Sequence, residues 1–265
     1  MVENSSDDKI RNAVRENYAK VATTPSCGCG PTCCSNSSNS NLAADASIAL
    51  GYSSEDVQSA PEGSNMGLGC GNPQAIAELK QGETVLDLGC GGGFDCFLAS
   101  RKVGTDGLVI GVDMTPEMVS KARKNVRDSG ETNIDIRLGE IENLPVADNS
   151  IDVIISNCVI NLSPNKQRVF KEAFRVLKAG GRLAISDVIA SATIPEDIKE
   201  DLVLHAGCIA GASTQNEVIA MLKEAGFNEI RVKNKEESKS FIKDWAPGSG
   251  AENYVVSANI QAIKL

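Results

Sequence analysis

Three cysteines stand apart from one another in settings that can each present a thiol. Cys70 sits in a glycine-rich loop, NMGLGCGNP, that can hold it exposed. Cys158 follows Asn157 in ISNCVINL, and Cys208 lies in a run of small residues, LHAGCIAGA. Each alone reads as a small buried hydrophobe. Together they make a set of soft ligands, the kind that selects thiophilic metals and metalloids over hard cations. Four more, Cys27, Cys29, Cys33 and Cys34, crowd into CGCGPTCC. Structural zinc wants well-separated ligand pairs, and no histidine is near, so a zinc site is disfavoured there. A reversible disulfide and a thiol-exchanging arm remain open. Cys90 reads as a small residue in a tight turn and Cys96 as helix core. His205 is the sole histidine. It reads as structural or pocket-lining, with a charge able to favour thiolate at Cys208.

A second constellation is the glycine loop VLDLGCGGGFD, which puts Asp87, Gly89, Gly91 and Gly93 at a strand-to-helix turn. Glycines serve where a backbone bends sharply and approaches a ligand closely. A dinucleotide fingerprint fails here: its third glycine falls on Phe94 or Cys96, depending on the start. The pattern acidic-x-G-x-G-x-G instead resembles the first motif of class I S-adenosylmethionine-dependent methyltransferases. That resemblance implies a loop facing the methionine half of the cofactor. Asp113 ends the next strand in VIGVDM, where a carboxylate can accept from both ribose hydroxyls. Met114 is expected to pack on the adenine. Glu140 and Ile141 in LGEIENLP stand where this family meets the adenine edge. Asn157 is expected at the carboxyl edge of the fourth strand. The bland alternatives are a solvated loop acid for Glu140 and a helix N-cap for Asp113, since TPEM follows it.

These residues need a frame to bring them together. Helical spacing of Ile10, Ala13, Val14, Tyr18 and Val21 predicts a helix over 7–21. A Ser/Asn-rich tether follows to about Asn41, and 42–72 reads as irregular. Pro73 is expected to open a helix. From residue 84 onward, strands TVLDLG, LVIGVD, NIDIRLGE, IDVIISN and RLAISDVI alternate with helices 94–103, 116–130 and 166–181. That alternation predicts an α/β fold with a doubly wound, mostly parallel, seven-stranded sheet. A helix near 214–225 and a terminal antiparallel hairpin, FNEIRVKN with ENYVVSANIQAIKL, complete it. The expected division is 1–41 as a thiol-rich arm, 42–190 as cofactor-binding core, and 191–265 as acceptor-site cover and sheet completion.

The chain has 265 residues and a net charge of −9, with 4% aromatic residues. That charge argues against nucleic acid or an anionic membrane as partner. No apolar run is long enough to span a bilayer, and the polar, acidic start lacks the features of a secretory signal. A cytoplasmic, reducing setting is expected, with free thiols. A monomer is expected.

The contexts of Cys70, Cys158 and Cys208, with DLGCGGGFDC and GVDMT, are similar to those of the arsenite methyltransferases over about residues 7–225. The resemblance implies trivalent arsenic bound by those three thiols, with Cys33 and Cys34 as accessory thiols, and methylation by S-adenosylmethionine. It further implies arsenite or its thiol conjugates as substrate, and thioredoxin or glutathione as reductant. Relatives often carry a single Cys or a CysCys pair near the N-terminus, so Cys33–Cys34 matches while Cys27 and Cys29 are extra. An extended C-terminal domain found in some relatives is expected to be missing. The rival functions are a small-molecule C- or O-methyltransferase with incidental cysteines, and a thiol-rich metalloid or zinc sequestration protein without turnover.

Overall fold

The structure, a computed structural model, describes residues 4–24, 39–245 and 249–265. The Cys27–Cys34 cluster lies outside the described residues. Seven strands, β1 (Thr84–Leu88), β2 (Leu108–Asp113), β3 (Ile134–Leu138), β4 (Ile151–Asn157), β5 (Leu177–Ala190), β6 (Asn228–Lys235) and β7 (Val255–Ile263), form one sheet. Their order is β3-β2-β1-β4-β5-β7-β6. The first five are parallel, and β7 runs antiparallel between β5 and β6. The predicted fold class holds.

Helices cover both faces, which is why the central strands read as continuous apolar runs. The helices in chain order are α1 (Asn4–Thr23), α2 (Asn39–Ala49), α3 (Ser54–Ser59), α4 (Gln74–Ala77), α5 (Phe94–Val103), α6 (Pro116–Ser129), α7 (Lys166–Val176), α8 (Glu196–Lys199), α9 (Leu202–Ala206), α10 (Gln215–Ala225) and α11 (Lys239–Ile242). Side chains alternate along each strand. Val85, Val109 and Val153 meet α5 and α6 through Phe97, Val103 and Ala122. Their neighbours Leu86, Ile110 and Ile154 meet α7 and α10 through Phe170, Val176 and Leu222. A third apolar cluster joins Val14 of α1 to Cys70, Cys208 and Ile242 of α11. Buried CH2 groups contribute about 0.8 kcal/mol each, so these three clusters carry most of the fold's stability.

The local expectations hold unevenly. Residues 42–72 are not irregular, because α2 and α3 lie there. The sequence NSNLAADASIA has alanines enough to form α2 despite weak periodicity. A reciprocal Ser53–Asp56 capping box starts α3. The Ser/Asn tether is therefore shorter than expected, since its last residues begin α2. The helix opened by Pro73 is a single turn that ends at Glu78 in a left-handed conformation. The last two strands do pair antiparallel, but 236–254 intervenes with α11, so they are not a tight hairpin. That insertion brings Phe241 and Trp245 to the site described next.

Candidate functional site

Strand order reverses between β1 and β4, and helices leave these two strands toward opposite faces. A crevice at the carboxyl ends of such a pair is where open α/β sheets bind ligands. A cavity of about 530 Å³ lies there. That is within the range of pockets that enclose a nucleotide-sized molecule. Its wall includes Asp87, Gly89, Gly91, Asp113, Met114 and Ile141 on the glycine-loop side. It also includes Asn157, Cys158, Cys208, Phe241 and Trp245 on the thiol side.

The glycine-loop side is built largely from backbone. The amides of Gly89 and Cys90 donate to Val112 O at 2.7 and 3.1 Å, which fixes the turn against β2. Gly89 has φ +69°, and a Cβ there would sit 2.5 Å from Val159 Cγ2, so no larger residue fits. The Asp113 carboxylate accepts from Gly91 N at 3.0 Å and Thr115 N at 2.8 Å. It therefore braces the loop, while Thr115 occupies the N-cap position of α6 without a side-chain capping bond. Burial raises the Asp113 pKa. Burial also pushes Asp87 well up, with Asp95 adding to the effect, and the Cys96 thiol donates to Asp87 Oδ2 at 3.3 Å. So Cys96, taken as helix core, is core and also touches a site carboxylate.

Two of the expected cofactor residues are outside the wall. Gly93 starts α5 from behind the loop. Glu140 turns to α1, where its carboxylate meets Arg15 at 3.3 Å and Arg11 at 3.8 Å. Glu142 lines the cavity in its place, with Arg11 at 3.5 Å. Arg15 also donates to Met114 O at 3.4 Å, and Tyr18 to Ala206 O at 3.3 Å. These contacts fasten α1 across the cavity, where Val14 and Tyr18 join its wall. The apolar contacts of buried Val14 and of Tyr18 add to these part-buried ion pairs in seating α1.

The thiol side is assembled from distant segments. Cys70 is buried rather than exposed, and it stands outside the cavity wall. Asn157 Oδ1 accepts from Cys70 N at 3.0 Å, and Ser257 Oγ donates to Cys70 O at 2.6 Å, which pins its loop down. The thiols of Cys70 and Cys158 and a carboxylate oxygen of Asp187 lie within 4.8 Å of one another. Cys208 joins from α9's end, its thiol donating to Cys158 O at 2.9 Å. Both Cys158 and Cys208 hold positive φ, +57° and +63°. Such backbone costs about 1–3 kcal/mol per residue and is concentrated at functional sites.

Every thiol here favours its protonated form. Burial raises Cys70. Hydrogen bonding with Cys208 and Cys70, together with burial, pushes Cys158 well up. A hydrogen bond with Cys158 draws Cys208 down, but burial, Asp187 and Cys70 more than offset it. His205 does not serve as the thiolate-favouring charge. Burial lowers its pKa, its Nε2 faces Leu162 O at 3.3 Å, and the cation acting on Cys208 is Lys166.

Asp187, Tyr52, Asp95 and Lys166 escaped the sequence reading. Asp187 had a visible signal, a lone acid inside the apolar strand LAISDVIA. Its oxygens accept from Ile160 N, Val188 N and Asn161 Nδ2, at 2.8, 2.7 and 3.0 Å. Burial lifts its pKa to about 6. Held by these three donors, it anchors the turn that carries Cys158.

A family profile described as a methyltransferase domain matches residues 79–226. Arsenite methyltransferase of Halobacterium salinarum is 50% identical over 273 residues, covering 100% of this chain and 69% of that protein. Arsenite methyltransferase of Homo sapiens is 40% identical over 185 residues, covering 63% of this chain and 49% of that protein. The chain thus spans about two thirds of the first relative and about half of the second. The solved structure of an arsenic(III) S-adenosylmethionine methyltransferase from Chlamydomonas reinhardtii superposes with a TM-score of 0.63 at 34% identity. It covers 84% of this chain and 74% of that one. With this sheet order, glycine loop and thiol group already in view, the chain belongs to the arsenite methyltransferase family of class I methyltransferases.

Proposed function

We propose that the chain methylates trivalent arsenic from S-adenosylmethionine, with arsenic held by Cys70, Cys158 and Cys208. One observation carries this most: Cys158 and Cys208 line the same cavity as the glycine loop, with the Cys70 thiol within 4.8 Å of Cys158. The loop side suits the cofactor. Gly91 has open space where a Cβ would be, and Asp113 stands at the end of β2. Asp87, Gly89, Gly91, Asp113, Met114 and Ile141 would hold it. When bound, the cofactor supplies an electrophilic methyl group on a sulfonium.

The chain's own residues do the rest by position. Soft thiolates select As(III), and three of them leave arsenic pyramidal with a lone pair as nucleophile. Because arsenic carries no proton, no general base is needed at the transfer itself. Holding donor and acceptor in one cavity lowers the barrier by orientation. The thiols are protonated at rest, so their protons leave with the hydroxide or thiolate groups that arsenic gives up. Methylation takes arsenic to the pentavalent state. Two thiols closing to a disulfide return the two electrons, and a thioredoxin- or glutathione-type reductant reopens it. A reducing cytoplasm fits that need. Among the described residues, no helix is long and apolar enough to cross a membrane.

The test is incubation with arsenite, S-adenosylmethionine and a thiol reductant. Mono- or dimethylated arsenic from the intact chain, lost in Cys158→Ser and Cys208→Ser, is the expected result. Full activity in either variant would refute the ligand set, and methylation of an oxygen or carbon acceptor instead would favour the rival methyltransferase function.

A further inference from the structure

Asn157, expected to face the cofactor, has its amide committed elsewhere. Oδ1 accepts from Cys70 N at 3.0 Å, and Nδ2 donates to Gly71 O at 2.8 Å and to Tyr52 Oη at 3.0 Å. The Tyr52 hydroxyl donates in turn to the Asp95 carboxylate, with both oxygens within 3.0 Å. Asp95 sits in the first turn of α5, two residues after the glycine loop. Gln74 Nε2 donates to Asp95 O at 2.9 Å and to Oδ1 at 3.3 Å. Tyr52, Gln74 and Asp95 are all buried, and the Tyr52 ring rests 5.0 Å from that of Phe94. The backbone makes room for this arrangement. Gly69 has φ +126°, and a Cβ there would lie 2.7 Å from the Asn157 amide.

The chain of contacts runs without a gap from α5 to the amide of Cys70. Its members come from four separate segments, and Asn157, Tyr52 and Asp95 are joined to one another and to the Cys70 loop by bonds of 2.8–3.0 Å. Such a network holds the Cys70 loop at a set distance from the glycine loop. A structural role alone would need only one of these ties, because Ser257 already anchors Cys70 O from β7.

We propose that Tyr52, acting through Asp95 and Asn157, is a positioning residue that sets the Cys70 thiol relative to the cofactor loop. The inference rests on Cys70 being an arsenic ligand. Tyr52→Phe keeps the ring and removes only the hydroxyl. It leaves Asp95 and Asn157 each short of one buried partner.

The experiment is a double-mutant cycle of Tyr52→Phe with Cys70→Ser in the full chain, read by arsenite titration. Trp245 is the sole tryptophan and lines the cavity, so its fluorescence reports on that site. S-adenosylmethionine affinity is measured beside it by calorimetry. Tyr52→Phe is expected to weaken arsenite binding roughly fivefold to tenfold in the parent and by less than about twofold once Cys70 is Ser. Cofactor affinity should stay within about twofold, since Tyr52 lies outside the cavity wall. Equal losses of arsenite affinity in both backgrounds, or a matching loss of cofactor affinity, would overturn the positioning role. Arsenite affinity unchanged by Cys70→Ser alone would instead overturn the ligand assignment beneath it. Should Tyr52→Phe fail to fold, Asp95→Asn takes its place in the same cycle, judged by the arsenite readings alone because Asp95 itself lines the cavity.

Discussion

The two sides of the cavity are made differently. On the glycine-loop side, a contiguous segment, Asp87–Gly93, bends through its own backbone and is braced by one carboxylate, Asp113. On the thiol side, positions 70, 158 and 208 are brought together by side chains and by strained turns. A local backbone device depends on residue type at fixed spacing. A long-range device depends on every element that carries it. The first should therefore fail through single glycines, and the second through single sulfurs or their anchors.

The largest expected effect is on the thiol side. Cys158→Ser should cut arsenite methylation roughly a hundredfold or more, because a missing ligand misplaces the reacting atom. Cofactor binding, measured by calorimetry, should change little. Gly89→Ala is the mirror experiment. Its φ of +69° and the Val159 contact should cost about 1–3 kcal/mol of stability and weaken cofactor binding, while arsenite titration of the folded fraction stays intact. If each variant impaired both ligands equally, the division into two sides would fail.

Smaller effects sharpen the boundary. Asp113→Asn removes the charge that braces Gly91 and should weaken the cofactor roughly tenfold. The pH profile belongs to the thiols. Burial and neighbouring groups hold all three above the usual thiol range, so capture of arsenite should accelerate as pH rises from neutral in stopped-flow traces. Lys166→Met should slow capture about twofold at neutral pH by removing the cation that lowers Cys208. His205→Gln should leave the profile in place, since burial keeps that imidazole neutral.

The same contrast explains what the amino-acid sequence revealed. The glycine loop, β1, β2 and α6 were legible because their signals are local: acid, glycines, apolar strand, Pro116 at the helix start. The mostly parallel sheet followed from strands alternating with helices. Each thiol was visible as a residue type in context, and their meeting was expected from the family resemblance, but the contacts that bring them together were not, because Asp187, Ser257 and Tyr52 act across the tertiary fold. Asn157 was placed correctly at the strand end, yet its side chain turns to Cys70 and Tyr52. Glu140 was expected at the adenine edge, and it is drawn away by Arg11 and Arg15 of a helix more than a hundred residues earlier. Helices α2 and α3 were missed because a short, alanine-rich helix and a six-residue helix carry almost no apolar period.

The most direct measurement is X-ray absorption at the arsenic edge on arsenite bound to the chain with Cys27, Cys29, Cys33 and Cys34 replaced by Ser. Arsenic surrounded by three sulfurs, falling to two in the further Cys208→Ser variant, is the predicted result. Oxygen-dominated coordination, or a sulfur shell that survives substitution of Cys70, Cys158 and Cys208 together, would contradict it.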